Sequence, residues 1–271
     1  MIVTVGQFNA TTDKAANISA ATDLIEQAAQ QGSSLVVLPE NAMWSDPDVD
    51  ADAEGAAESI DGPFATAIAR QARASGITVV VGMTEAQGAA GGRPSNTVFV
   101  VDPNGSLQGA YHKVHLYDAF GYRESDRIRA HTPEAVTFTL GGVTFGVMTC
   151  YDVRFPEMAR FLVDAGAQAL IVPAAWAVGP AKEDHWTTLT RARAIENTVY
   201  VLASGQTGPT CTGRSAVIDP MGHLVASAGE SPGVVSAVLH PERVKEVRAK
   251  NPSLANRKFS VGYGSAVPAV G

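Results

Sequence analysis

Two short runs without a polar residue set the strongest limit on the fold. Leu35-Val-Val-Leu38 and Ala169-Leu-Ile-Val172 each follow a helix-like stretch ended by a glycine, Gly32 in one case and Gly166 in the other. Apolar runs this short read as strands buried on both faces, and such strands belong to parallel sheets covered by helices. The flanking segments agree. Ile18, Ala21, Leu24, Ile25 and Ala28 share one face of a helix that Thr12 or Asp13 can cap. Residues 155–165 form the matching helix before the second run.

The order around each run repeats. Strands over residues 2–8 and 143–148 open the two halves, and their starts match, Val3-Thr-Val-Gly6 against Val143-Thr-Phe-Gly146. A helix from Pro63 to Gly76 and a strand over 77–82 follow in the first half; a helix over 184–195 and a strand over 198–203 follow in the second. Residues 88–94 read as a loop. Each half then closes with a hairpin: 97–101 and 106–112 about Asp102-Pro-Asn-Gly105, then 214–218 and 223–226 about Asp219-Pro-Met-Gly222. A repeat of about a hundred residues is long for a solenoid unit. It predicts instead two mixed sheets, each with helices on one face. Packing their bare faces together makes a four-layer α-β-β-α sandwich with an internal pseudo-two-fold repeat. Residues 1–240 form this domain. Residues 241–271 add a helix over 242–250 and an irregular arm containing Arg257, Lys258, Phe259 and Tyr263, which covers either its own core or a partner subunit.

Composition narrows the function. A net charge of −7 with no long basic run argues against nucleic acid or an anionic membrane as partner. The first residues read as a strand rather than a signal peptide, and no apolar run reaches membrane-spanning length. Two cysteines, Cys150 and Cys211, make no disulfide framework and fit a cytoplasmic protein. A small molecule is the expected partner.

Cys150 carries the chemistry. It joins the strand-like run 143–149 to the helix-like run 154–160. The unpaired N–H groups and dipole of a helix start favour a thiolate there, and a thiolate is a nucleophile. Cys211 reads as a packing residue. A thiol acyl-transfer site also needs a base and a positive group for the oxyanion, placed at strand ends on the same sheet edge. Glu40 follows the buried run 35–39, where a carboxylate is costly without a task or a partner. Lys113 ends the strand Ala110-Tyr-His-Lys113.

Leu-Pro-Glu40, His-Lys113-Val-His-Leu and Cys150-Tyr-Asp-Val-Arg-Phe-Pro-Glu157 together resemble the nitrilase superfamily of carbon–nitrogen hydrolases. His185-Trp186, Arg191-Ala-Arg-Ala-Ile-Glu-Asn197, Tyr200-Val and Gly213-Arg-Ser215 extend the resemblance, which spans residues 2 to 240. The resemblance implies Cys150 as nucleophile, Glu40 as general base and acid, and Lys113 with the Tyr151 N–H as oxyanion donors. It implies that Glu124, in Tyr122-Arg-Glu-Ser125, orients Lys113 or hydrogen-bonds the substrate amide. It also implies the four-layer fold, a homodimer, and neither metal nor organic cofactor. The motifs look most like amidases acting on dicarboxylic acid monoamides and deaminated glutathione. Nitrilases more usually carry Cys-Trp-Glu, so Cys150-Tyr-Asp152 departs from them. N-carbamoyl hydrolysis uses the same residues and stays open, whereas the intact Glu40, Lys113 and Cys150 argue against a non-catalytic binding protein. Gly213-Arg214-Ser215 in place of Gly-His-Ser, and Thr132-Pro-Glu134 in place of Pro-Gly, leave the pocket's polarity open.

Trp176 follows the strand that corresponds to the one leading to Glu40, so it is expected to overhang the pocket. Tyr117 and Phe120, between Lys113 and Glu124, are expected to line it. Asp152 and Arg154 are expected to pair with each other or with the helix carrying Arg191, Arg193 and Glu196, although Arg154 could instead reach a substrate carboxylate. His112 and His115 lack further ligands at metal-site spacing.

Overall fold

The computed structural model describes residues 1–48, 51–88 and 92–262. The first half runs β1 (Ile2–Gln7), α1 (Lys14–Gln30), β2 (Leu35–Val37), the one-turn α2 (Ala53–Ala56), α3 (Pro63–Ser75), β3 (Thr78–Glu85), β4 (Ser95–Val101) and β5 (Leu107–His112). A small hairpin, β6 (Asp118–Ala119) and β7 (Tyr122–Arg123), comes next. The second half runs β8 (Thr137–Leu140), β9 (Val143–Val147), α4 (Pro156–Asp164), β10 (Ala169–Ala174), α5 (Lys182–Asn197), β11 (Tyr200–Gly205), β12 (Ala216–Ile218) and β13 (Leu224–Ser227). Strand β14 (Gly233–Val238) and helix α6 (Pro241–Lys250) complete the regular elements. The Asp13 carboxylate caps α1 by accepting from the Ala16 N–H at 3.0 Å, while Pro63 opens α3 and left-handed Gly76 ends it.

Two six-stranded sheets result, ordered β14-β1-β2-β3-β4-β5 and β13-β12-β11-β10-β9-β8. In the first, β1, β2 and β3 run parallel, and β4 and β5 return antiparallel. In the second, β9, β10 and β11 run parallel, and β12 and β13 return antiparallel. The repeat extends to the turns. Asp102 Oδ1 accepts from the N–H groups of Asn104 and Ser106, and Asp219 Oδ1 from those of Met221 and His223. Gly105 and Gly222 close the two turns at the same φ of 82°, which a side chain seldom tolerates.

The sixth strand of each sheet breaks the repeat. β14 arrives from the far end of the chain to pair antiparallel with β1, and β8 forms a hairpin with β9. Neither was expected from the sequence, nor was the β6–β7 hairpin. The two sixth strands carry residues that are mostly half-exposed, so they lack the unbroken apolar signature of β2 and β10.

Strand alternation assigns the layers. Val36, Leu38, Val79, Val81 and Phe99 pack with Leu24, Ile25, Phe64 and Ile68 of α1 and α3. Their neighbours Leu35, Val37, Val80 and Val98 pack into a second cluster with Phe145, Leu170, Val201 and Val217 of the other sheet. That cluster also takes in Met158 and Leu162 of α4 and Trp186 of α5. The order of layers is therefore helix, sheet, sheet, helix, and a period of two places successive side chains in different layers.

Polar side chains tie the two sheets together at one edge. Ser204 donates to the Gly6 carbonyl at 2.6 Å, and Gln7 accepts from the Ser215 N–H at 2.9 Å. Gln206 accepts from the Ala10 N–H and donates to the carbonyl of Glu40 at 2.8 Å. The same edge holds the strand ends from which the candidate site is built.

Candidate active site

Glu40 emerges just beyond β2 and is held from three directions. Leu38 donates to the Val80 carbonyl, Gly82 donates to the Pro39 carbonyl, and Ala42 donates back to the Gly82 carbonyl at 3.1 Å. Gly82 has no room for a side chain, since a Cβ there would lie 2.7 Å from the Glu40 Cα. The carboxylate is 2% exposed. Its Oε1 accepts from Asn96 Nδ2 at 2.7 Å and Lys113 Nζ at 2.9 Å, and its Oε2 accepts from the Ala175 N–H at 2.7 Å.

Lys113 follows β5, with its own N–H donating to the Asn96 carbonyl at 2.9 Å. Its ammonium bridges two carboxylates, reaching both oxygens of Glu124 at 3.1 and 2.9 Å besides Glu40. Glu124 sits at the start of a 3-10 turn and also accepts from the Tyr117 N–H at 2.6 Å. Of the two roles the sequence left open for Glu124, the contact present is the one to Lys113.

Cys150 stands at a sharp turn where β9 ends. Its φ of 45° lies in the left-handed region, costly for a residue with a side chain and recurrent at active sites. Residues Cys150–Arg154 form a 3-10 turn, and the α-helix begins only at Pro156. The turn is braced by Asp152, which accepts from the Thr149 N–H at 2.9 Å, Tyr111 Oη at 2.6 Å and the His115 N–H at 3.3 Å, and pairs with His115 Nδ1 at 2.8 Å. Arg193 of α5 donates to the Val153 carbonyl at 2.9 Å. Of the two pairings expected for Asp152 and Arg154, the mutual one does not form, and Arg154 instead reaches helix α5 at His185 Nδ1, 3.3 Å away. Asp152 is fully buried among neutral donors and His115, and Arg154 points the other way, against the Trp176 and Phe120 rings.

The electrostatics revise the expected thiolate. Burial drives the Cys150 thiol well above its ordinary range, and the Glu40 charge and hydrogen bond push it further, outweighing the pull of Lys113. Burial also disfavours the Glu40 charge, but the Lys113 charge and the hydrogen bonds from Lys113, Cys150 and Ala175 overcome it, so its pKa ends below 4.5. For Lys113, burial works against the ammonium, yet Glu124 and Glu40 together hold its pKa well above 10.5. These directions favour charge on Glu40 and Lys113 and disfavour it on the Cys150 sulfur.

These groups open into a cavity of about 390 Å³. Glu40, Lys113, Glu124, Cys150, Tyr151, Tyr117, Phe120 and Trp176 all border it, whereas Arg154, the candidate contact for a substrate carboxylate, does not. Trp176 is nearly buried, and Tyr117 stacks edge-on against Tyr151 with ring centroids 5.1 Å apart. Cys211, read as a packing residue, also borders the cavity, where burial pushes its thiol up to about 11.

Three contributors escaped the sequence reading: Asn96, which bonds both Glu40 and Glu124; the Ala175 N–H; and Lys182, whose amine lies 3.1 Å from Tyr117 Oη. Asn96 immediately precedes the predicted strand 97–101, and that position was its one visible signal. His112 pairs with Glu85 and stacks on His131, and His115 serves Asp152. Among the described residues, no group of three or more His, Cys, Asp or Glu side chains is arranged to hold a metal ion. Likewise, no helix is long and apolar enough to cross a membrane. Arg257 pairs with Asp164 of α4, whereas Tyr263 and residues 89–91 of the 88–94 loop lie outside the described residues.

Known proteins share this arrangement of elements. The carbon–nitrogen hydrolase family matches residues 2–249. A deaminated glutathione amidase of Escherichia coli O157:H7 is 40% identical over 261 residues, covering 96% of this chain and 98% of its own. The crystal structure of the C. elegans NitFhit protein superposes with a TM-score of 0.89 at 29% identity, over 96% of this chain and 66% of that one. An amidase from Nesterenkonia sp. AN1 superposes with a TM-score of 0.78 at 26% identity, over 92% and 97%. That structure is of a glutamate-to-glutamine variant with acrylamide added to the active-site cysteine.

Proposed function

We propose that this chain, which belongs to the carbon–nitrogen hydrolase family, hydrolyses a small non-peptide amide through a thioester on Cys150. One observation carries the reading: Glu40, Lys113 and Cys150 border one cavity, with the Glu40 carboxylate bonded to the Lys113 ammonium at 2.9 Å. A base, a nucleophile and a cation for the oxyanion are gathered before any substrate arrives.

Glu40 takes the thiol proton as sulfur attacks the amide carbonyl. The carbonyl oxygen becomes an oxyanion, received by Lys113 Nζ and the Tyr151 N–H. Glu124 holds the ammonium in place through both of its carboxylate oxygens. Protonated Glu40 then gives its proton to the departing nitrogen, the C–N bond breaks, and a thioester remains. Water enters, Glu40 removes one of its protons, and the second tetrahedral species expels the sulfur. The Cys150 thiol is restored when Glu40 returns that proton. Each positioned base or oxyanion donor contributes about a hundredfold or more in rate. Trp176, Tyr117 and Tyr151 serve as walls that exclude water and orient the acyl group. The protein acts in the cytoplasm as a homodimer, and light scattering of the full chain and of a truncation before Glu242 tests the assembly.

The decisive experiment measures ammonia and amine release from linear amides, ω-monoamides, N-carbamoyl amino acids and nitriles. Cys150→Ala should be inactive while keeping its fold, and the wild type quenched during turnover should carry an acyl mass on Cys150. Substantial amide turnover by Cys150→Ala would end the covalent assignment. Carbon dioxide released alongside ammonia would move the substrate to the N-carbamoyl class with the same residues.

A further inference from the structure

We propose that Lys182 is a substrate-binding residue that selects amides carrying a carboxylate, its ammonium binding that carboxylate within the cavity. This rests on the hydrolase reading of the same cavity. Lys182 is the first residue of α5, at the positive end of a helix dipole, where a cation is least favourable. It is also only 5% exposed. The backbone before it is contorted to put it there: Gly179 has a φ of 149° and Ala181 a φ of 58°. Trp176 Nε1 then clasps the Lys182 carbonyl at 2.7 Å.

The amine itself is poorly matched by the protein. It stands 4.5 to 4.9 Å from the ring centroids of Phe120, Tyr117 and Trp176, with Tyr117 Oη as its hydrogen-bond partner. Arg154 lies over the same Trp176 ring at 4.9 Å, and its Nε is buried without a partner. Among the described residues, no carboxylate comes within 4.0 Å of either cation. Arg214, by contrast, pairs with Glu183 and Glu230 and does not border the cavity.

Aromatic faces stabilise a cation, but two cations sharing one ring repel each other. Burial and the Arg154 charge accordingly hold the Lys182 amine below the ordinary lysine range. A lysine placed against its helix dipole, dehydrated and next to an arginine is a local conflict, and such conflicts concentrate at functional sites. An anionic group on the substrate resolves it, because a charge-assisted hydrogen bond in a dry pocket is about twice as strong as a neutral one.

The test compares linear monoamides of dicarboxylic acids with the same amides bearing a hydroxymethyl group in place of the carboxylate. A second pair carries the carboxylate on the amine side instead. The wild type should favour the anionic member of at least one pair in kcat/KM. Lys182→Met should lower that preference about 10- to 100-fold, chiefly through KM, and Lys182→Arg should keep most of it. Equal preference in the wild type, or equal losses on both members of each pair in Lys182→Met, would overturn the proposal. Ammonia and amine release by the wild type from any of these amides separates the two levels. Release with no charge preference defeats only the role of Lys182, while no release from any amide defeats the hydrolase reading beneath it.

Discussion

Gly82→Ala tests whether the position of Glu40 is fixed by backbone packing rather than by its hydrogen bonds alone. The new Cβ would stand 2.7 Å from the Glu40 Cα, 2.9 Å from the Asn41 N and 3.0 Å from the Pro39 O. All three are backbone atoms, so no side chain can swing aside. The closest approach is about 0.7 Å short of ordinary contact. Two hydrogen bonds lock the strands together at this point, Gly82 N–H to Pro39 and Ala42 N–H to Gly82, so the crowding passes to the segment that carries Glu40. Overpacking of this kind costs about 1–3 kcal/mol. A misplacement of about 1 Å at a reacting group costs about a hundredfold in rate, so a shift of this size should lower kcat about 10- to 30-fold. Urea denaturation gives the first quantity and single-turnover acylation of Cys150 the second. Gly229→Ala is the control, because a Cβ there meets nothing within 4 Å. If Gly82→Ala acylates within twofold of the wild type despite the expected destabilisation, Glu40 is held by its side-chain partners and the packing argument fails.

Asn96→Leu keeps the volume but removes the donor shared by Glu40 and Glu124. It should cost about 2–4 kcal/mol in urea denaturation and move the acid limb of kcat/KM upward, because ionised Glu40 loses a partner. Asp152→Asn weakens acceptance from Tyr111, His115 and Thr149 at a fully buried site. A loss of about 2–4 kcal/mol should appear as a lower Tm in calorimetry, and an unchanged Tm would show that the hub does not brace the Cys150 turn. The pH profile follows from the direction of each shift. With the Glu40 pKa below 4.5 and the Cys150 pKa well raised, kcat/KM should stay flat through neutrality and fall only below pH 4.5. A rise in kcat/KM between pH 7 and 9 would instead signal an independently titrating thiol. Stability obeys the same signs. The contribution of Glu40 is present above pH 4.5 and is lost as pH falls through its lower folded value. That of Lys113 is present below pH 10.5 and is lost as pH rises through its higher folded value.

The parts legible in the sequence were those written in local patterns. β2 and β10 announce themselves as unbroken apolar runs, and the two Asp-Pro-x-Gly turns give the repeat because their geometry is local. Glu40, Lys113 and Cys150 are legible because each stands where a strand ends. What escaped depends on distance through space. Asn96 looks like any residue at a strand's edge until folding puts its amide between two carboxylates. Lys182 looks like a solvated helix residue until two strained backbone positions turn it inward. β8 and β14 were missed because edge strands, half-exposed on their surfaces, need no continuous apolar pattern.

The charges around Cys150 bear on mechanism. A helix start favours a negative charge, but here the residues after the sulfur form a 3-10 turn, and two carboxylates already share the one ammonium. The buried cluster of Glu40, Glu124 and Lys113 thus sets two carboxyl groups against one ammonium. Ionising the thiol independently would add negative charge beside them in a medium where like charges repel strongly. Passing the thiol proton to Glu40 adds none, since the carboxylate becomes neutral as the sulfur becomes nucleophilic. In the proposed mechanism the negative charge then moves to the carbonyl oxygen, and Lys113, released from half of its ion pairing by the protonation of Glu40, is free to receive it. On that mechanism Glu40 and Lys113 act as one unit, in which proton transfer at the carboxylate and charge stabilisation at the ammonium are the same event.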